Sequence, residues 1–138
     1  MKTLTKLFLA AHVFIYRYSR GKIGGKLAGN HILLLNTVGR KSGAPHTTPL
    51  VYVRDGDTYV IIASNGGASH HPSWYYNLKA QPETVIEVMG DIITVHGEEV
   101  SGAQRADLWQ RIIADHRQFA DYQQKTARTI PLFRLIPI

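Results

Sequence analysis

A chain of 138 residues has room for one domain around a single core, and its 44% hydrophobic content suits a soluble globular protein. It contains no cysteine, which excludes disulfides, thiolate metal sites and a cysteine nucleophile. The net charge of +6 is unevenly spread, with nine basic and no acidic residues in 1–54 against seven basic and ten acidic residues in 55–138, so an anionic cofactor, lipid surface or nucleic acid would meet the N-terminal part.

Residues 3 to about 20 read as a helix. Leu4, Leu7, Phe8, Ala11, Phe14, Ile15 and Tyr18 recur at spacings of three and four, flanked by Lys2, Lys6, Arg17 and Arg20. His12 interrupts the apolar run and no small-x-small cleavage site follows it, which argues against a secretory signal. The run is also well short of the ~20 apolar residues of a spanning helix. Two readings remain: a basic amphipathic helix lying on a membrane or at the mouth of a pocket, and a helix packed on the core. Gly21, Gly24, Gly25 and Gly29 make residues 21–30 a flexible link.

Ile32 to Leu35 is continuously apolar, as in a buried strand. It leads into Thr37-Val38-Gly39-Arg40-Lys41-Ser42-Gly43-Ala44-Pro45-His46-Thr47-Thr48-Pro49-Leu50, and a second apolar run leaves at Leu50 to Val53. This pattern predicts strand, turn, strand. The turn offers glycines that let N–H groups approach a ligand, the cations Arg40 and Lys41, and the hydroxyls of Ser42, Thr47 and Thr48. It suits phosphate or carboxylate, although it lacks the GxxxxGK spacing of a P-loop; a solvated hairpin is the plainer alternative. Pro49 is expected where the second strand begins.

Asp55-Gly56-Asp57 predicts a hairpin joining Leu50–Val53 to Thr58–Ala63. A polar loop from Ser64 to Pro72 follows, then a short helix over Ser73 to Lys79 opened by Pro72. Thr84 to Met89 and Ile92 to Val100 form another hairpin, rich in β-branched residues. Ser101 and Gln104 fit a capping box ahead of a helix with Leu108, Trp109, Ile112 and Ile113 on its apolar face. Phe119 to Gln124 predicts a further helical piece, and Ile130 to Ile138 an edge strand or extended tail. About six strands and three or four helices, with antiparallel hairpins throughout, indicate a small closed or half-open β-barrel with helices outside.

The seven histidines show no established metal spacing, and no serine lies in a GxSxG elbow. Carboxylates are too sparse for a hydrolytic pair. Trp74, Tyr75 and Tyr76 cluster beside Ser64-Asn65-Gly66-Gly67, which suits a planar ring system or, more plainly, core packing.

Taken in order, these segments resemble the deazaflavin-dependent nitroreductase family. The matching pieces are Thr37 to Gly43, Thr48-Pro49-Leu50, Ala63 to Gly67, His71 to Pro82 and Tyr122 to Pro131. The resemblance implies a split, antiparallel FMN-binding-like β-barrel, with peripheral helices, over residues 31–138. Residues 1–30 form an N-terminal amphipathic helix and glycine-rich link. It implies coenzyme F420, a 5-deazaflavin with a phosphodiester and an oligoglutamate tail, as hydride donor to a quinone, nitro compound or other activated unsaturated acceptor. The cofactor-binding residues would be Gly39, Arg40, Lys41, Ser42, His46, Thr48, Pro49, Ala63, Ser64, Asn65, Gly66, Gly67, Trp74 and Asn77. Tyr122, in the family's Tyr-Gln-Gln segment, and Ser64 would stabilise or protonate the acceptor, since a phenol donates without prior activation. The family usually carries Arg where this chain has His46, and an imidazole holds an anionic tail more weakly than a permanent bidentate cation.

Alternatives are an FMN-dependent split-barrel oxidoreductase, a non-catalytic F420 carrier and a basic nucleic-acid-binding module. The last is disfavoured because the aromatics do not interleave with the cations. A cytoplasmic enzyme is expected, with residues 1–20 available to the inner face of the cell membrane.

Overall fold

The computed structural model describes residues 3–27 and 29–138. Lys2, expected at the start of the first helix, lies outside them, as does Ala28 in the glycine-rich stretch. Six strands close into an antiparallel barrel: β2 (Asn30–Val38), β3 (Pro45–Asp55), β4 (Thr58–Ile62), β7 (Leu132–Pro137), β6 (Asp91–Val100) and β5 (Glu83–Val88), with β5 returning to β2. A two-residue β1 (Lys26–Leu27) pairs with the start of β2. Four helices lie outside: α1 (Thr3–Ser19), α2 (Ser73–Ala80), α3 (Gly102–Asp115) and α4 (Gln118–Gln124). Of the closed or half-open antiparallel barrel expected, the closed form is the one observed.

The barrel forms because β2 is apolar on both faces. Leu33 and Leu35 pack inward with Ile61, Ile86, Val95 and Leu135, and with Trp74 and Leu78 of α2. Ile32, Leu33, Leu34 and Leu35 are all buried, and each contributes roughly 1.5–3 kcal/mol through burial. A second cluster unites Val60, Ile62 and Leu132 with Leu108, Trp109 and Ile112 of α3 and Phe119 of α4. Closure rests on three residue pairs, Leu34–Glu87, Leu35–Ile86 and Asn36–Val85.

Several expectations need correction. The last strand is neither edge nor tail: β7 lies between β4 and β6, and buries Leu132, Phe133 and Leu135. Pro131 precedes it and Pro137 ends it, so neither proline interrupts the ladder. Pro49 lies inside β3 opposite Leu34. β4 pairs with β3 only from Tyr52 to Asp55, so Pro49 has a ladder on one side and its missing N–H is tolerated there. Ser101 caps α3 without a side-chain hydrogen bond, so the capping box is not formed. Pro72 is the N-cap of α2 rather than its first residue.

Much of the apolar stripe of α1 is not packed on the barrel. Leu4, Leu7, Phe8, Phe14 and Tyr18 are each more than 60% exposed, whereas Tyr16 is only 1% exposed. The Tyr16 hydroxyl donates to the Glu87 carbonyl at 3.1 Å and accepts from the Met89 N–H at 2.8 Å. His12 reaches the Gly24 carbonyl at 2.8 Å. In the stretch that follows, Gly21 has φ +81° and a Cβ there would lie 2.7 Å from the Met89 backbone, so the turn leaving α1 packs directly on the β5–β6 turn.

Candidate functional site

A cleft of about 1780 Å³ opens between α1 and the barrel. Its floor is β2, β3 and the end of β4, and one end is closed by the Ser64–Trp74 segment. α1 supplies the facing wall through Leu9, Ala10, Val13, Phe14 and Tyr18. Four cations line the cleft, Lys6, Arg17, Arg40 and Lys41, and no carboxylate does among the described residues. All four come from the acid-free N-terminal part.

The β2–β3 turn is tied down from within. The Gly39 N–H donates to the Ala44 carbonyl, and the Gly43 N–H to the Gly39 carbonyl, both at 2.8 Å. The Ser42 hydroxyl accepts from the Ala44 N–H at 3.1 Å. A Cβ at position 39 would lie 2.6 Å from that Ser42 oxygen, so a larger residue there would displace the hydroxyl. Asn77 of α2 accepts from both the backbone N–H (3.1 Å) and the guanidinium (3.0 Å) of Arg40, whose plane lies over Tyr76. The Gly39 and Arg40 N–H groups are therefore engaged within the protein. Among the described residues the Lys41 and Ser42 N–H groups have no partner, and Lys41 forms no ion pair.

The Ser64–Gly67 loop closes the inner end. Asn65 (φ +47°) and Gly66 (φ +64°) are in the left-handed region, and the Asn65 amide holds the His70 carbonyl at 3.2 Å. Arg128 supports this loop from behind. Its Nε donates to the Ala68 carbonyl (2.9 Å), Nη1 to the Ala63 carbonyl (3.2 Å) and Nη2 to the Ser64 carbonyl (2.8 Å). With the carbonyls directed at Arg128, the Asn65 and Gly66 N–H groups keep no protein partner among the described residues.

Of the fourteen residues expected to bind cofactor, twelve line the cleft: Gly39, Arg40, Lys41, Ser42, His46, Thr48, Pro49, Ser64, Asn65, Gly66, Trp74 and Asn77. Ala63 and Gly67 do not. Ala63 is fully buried and accepts from Arg128. Gly67 (φ +84°) lets α4 approach, since a Cβ there would meet the Tyr122 carbonyl at 2.8 Å. Ser64 lines the cleft, whereas Tyr122 packs beside Phe119 in the second core cluster and is not in the lining. Trp74 is largely buried, edge-on to Phe133.

Sequence reasoning missed several lining or supporting groups. Arg128 lies in the Tyr122–Pro131 segment with nothing local to mark it as an anchor. Arg17 leaves α1 to meet Glu87 (2.8 Å), Asn36 (3.3 Å) and Thr47 (3.2 Å). The Arg17 hydrogen bond is the main reason that the Glu87 carboxyl is held below its usual range, and Asn36 adds to it against the opposing effect of burial. Thr37 is 5% exposed, lines the cleft and has a buried hydroxyl without a hydrogen-bond partner. A buried hydroxyl in that state costs about 1–3 kcal/mol, which a ligand can relieve.

A cleft with cations, no carboxylate, free N–H groups and an unpartnered hydroxyl can hold an elongated anion beside a flat ring. Comparison with known proteins agrees. The family model described as F420H(2)-dependent quinone reductase matches residues 9–137. An F420H(2)-dependent quinone reductase of Mycobacterium tuberculosis (strain H37Rv) is 41% identical over 128 residues, covering 90% of this chain and 86% of the relative. The solved structure of an F420-H2 dependent reductase superposes with TM-score 0.68 at 35% identity, covering 75% of this chain and 92% of that one. Another structure, titled a domain-swapped dimer, gives TM-score 0.69 at 31% identity, over 91% of this chain and 98% of that one.

Proposed function

The chain belongs to the F420H(2)-dependent quinone reductase family, and we propose that its cleft holds coenzyme F420 along the barrel and admits the quinone beside α1. The enzyme takes hydride from reduced coenzyme F420 and gives it to a quinone. The observation that carries the assignment of this cleft is its charge: four cations and no carboxylate among the described lining residues.

When bound, the coenzyme supplies two electrons and a proton as hydride, and a further proton converts the resulting hydroquinone anion to hydroquinone. The protein's own work is to bind, orient and exclude water. Lys41, Arg40 and the Lys41 and Ser42 N–H groups would take the phosphate and glutamates, with His46, Thr48 and Pro49 beside them. Each charge-assisted contact contributes roughly 1.5–3 kcal/mol. The Asn65 and Gly66 N–H groups would face the polar edge of the ring system, and Trp74 would bound it. For the acceptor oxygen, Ser64 is the donor that the cleft offers and Tyr122 the donor that the family resemblance offers. Turnover by Ser64→Ala and Tyr122→Phe separates them, because the second removes only a hydroxyl.

The exposed apolar side of α1 supports a finer reading. No helix among the described residues is long and apolar enough to cross a membrane. Leu7 and Phe8 are 63% and 70% exposed on a helix that also carries Lys6 and Arg17, with Arg20 just beyond its end. In this reading residues 1–30 are an accessory to the barrel of residues 31–138 and rest on the anionic inner face of the cell membrane, where each cation adds about 1 kcal/mol. Phe8→Glu should abolish co-sedimentation with anionic vesicles and leave folding intact; equal sedimentation of both proteins removes the membrane from the account.

The experiment for the function is oxidation of reduced coenzyme F420 by the purified protein with menadione. We expect turnover that a nitroimidazole supports less well. Binding of the coenzyme without turnover by any quinone would leave a carrier instead.

A further inference from the structure

His71 stands between Arg128 and the cleft. Nη1 of Arg128 lies 2.9 Å from Nδ1 of His71. A guanidinium has only donors, so Nδ1 must accept, and the single ring proton of the neutral imidazole resides on Nε2. That Nε2–H has no protein partner among the described residues, and His71 lines the cleft. The ring is held further by Tyr75, with centroids 4.2 Å apart, and by the edge of Tyr76 at 5.8 Å.

The same guanidinium holds the Ser64 carbonyl through Nη2 at 2.8 Å. One cation thus fixes both the imidazole and the loop that carries Ser64. The Ser64 hydroxyl makes no hydrogen bond among the described residues, and Ser64 also lines the cleft. Two neutral donors on residues that line the cleft are therefore tied to one guanidinium.

We propose that the His71 Nε2–H and the Ser64 hydroxyl together receive the quinone carbonyl oxygen that becomes anionic on hydride transfer, with Arg128 as the positioning residue behind both. This rests on the quinone reductase reading. Preorganised donors aimed at developing charge act most strongly in a cleft from which water is excluded. The hydride brings two electrons and one proton to the quinone, the oxygen gains the negative charge, and the second proton comes from solvent. His71 gives a hydrogen bond and keeps its proton.

The charges around His71 agree with a neutral ring. Burial, the largest cause, and the Arg128 guanidinium push its pKa below the ordinary imidazole value. Lys79 acts in the same direction, and Glu99 opposes it. Glu99 is itself engaged by Lys79 at 3.2 Å and by the Tyr75 hydroxyl at 3.0 Å. The other charged group near this cluster is Arg40, over Tyr76.

The test combines the free protein and two variants. Long-range proton–nitrogen NMR of the His71 ring should show the Nε2–H form from about pH 6.5 to 8. His71→Met keeps volume without a donor, and His71→Gln restores an N–H near the position of Nε2. Single-turnover hydride transfer to menadione should fall about a hundredfold in the first and recover at least about tenfold in the second. Coenzyme affinity should stay within about threefold in both, and the wild-type rate should be flat over the same pH range. An Nδ1–H ring, an unimpaired His71→Met protein, or a loss in coenzyme affinity in place of rate would each overturn the proposal. A wild-type protein that does not reduce menadione overturns the functional reading itself, whereas active wild type with equally active His71→Met overturns only this inference.

Discussion

The barrel wall and the α1 wall of the cleft are held by different means. On the barrel side, the β2–β3 turn closes on itself and is pinned by Asn77, while Arg128 ties the Ser64 loop through three carbonyls. On the α1 side, attachment depends mainly on Tyr16, His12 and the Arg17–Glu87 pair, and much of the apolar surface is not packed on the barrel. One wall is preorganised before any ligand arrives. The other is held at few points and can yield. A rigid wall suits a coenzyme that must be oriented, and a yielding one suits an acceptor that must enter and leave.

If this contrast is right, damage to the barrel wall should cost most. Arg128→Met removes the guanidinium that ties the Ser64 loop and leaves three carbonyls without it. We expect a loss of about 2–4 kcal/mol of stability and at least about a hundredfold in coenzyme affinity, read by denaturant unfolding and fluorescence titration. A variant that binds as tightly as wild type would mean that the loop orders itself.

Thr37→Val should act with opposite signs in two measurements. The free protein should gain about 1 kcal/mol, because a buried unpartnered hydroxyl is removed, while coenzyme affinity should fall about fivefold. Loss of stability together with unchanged affinity would show that Thr37 serves the barrel and not the ligand.

The smallest effect should come from the α1 wall. The Glu87 carboxyl is depressed chiefly by its hydrogen bond to Arg17, so its contribution is present above the unfolded carboxylate pKa of ~4.3 and is lost as pH falls through the lower folded value. Arg17 is 47% exposed in this pair, so Glu87→Gln should cost no more than about 1 kcal/mol. Hydrogen exchange should quicken in α1 and not in β2. Equal quickening in both would mean that the walls are one cooperative unit.

The parts of this arrangement that the sequence revealed are those with local causes. The hairpin at Asp55–Asp57, the apolar β2 run and the Pro72-opened helix each depend on neighbouring residues. The acid-free N-terminal part was visible by counting, and its cations do converge on the cleft. Long-range relations were not legible. β7 enters between β4 and β6, and β5 returns to β2, through pairings that no local pattern encodes. The stripe of α1 was readable as a period but not as a direction, because burial is decided by Tyr16 and the β5–β6 turn across the fold. Arg128 looked like any loop arginine until its three carbonyl partners were in place. Of Tyr122 and Ser64, only Ser64 lines the cleft; Tyr122 packs on Phe119, a lining residue, and its carbonyl lies against Gly67 of the same loop, a relation that no local pattern encodes.

The central claim is that a preorganised, cation-lined barrel wall binds coenzyme F420 through its anionic tail. It is tested most directly by titrating the coenzyme into the wild-type protein and Lys41→Ala at two salt concentrations, with FMN as the competing ligand. The account predicts tighter binding of coenzyme F420 than of FMN, weakening with salt, and a further loss of about ten- to a hundredfold in Lys41→Ala at low salt. Salt-independent binding, a preference for FMN, or unchanged affinity in Lys41→Ala would contradict it.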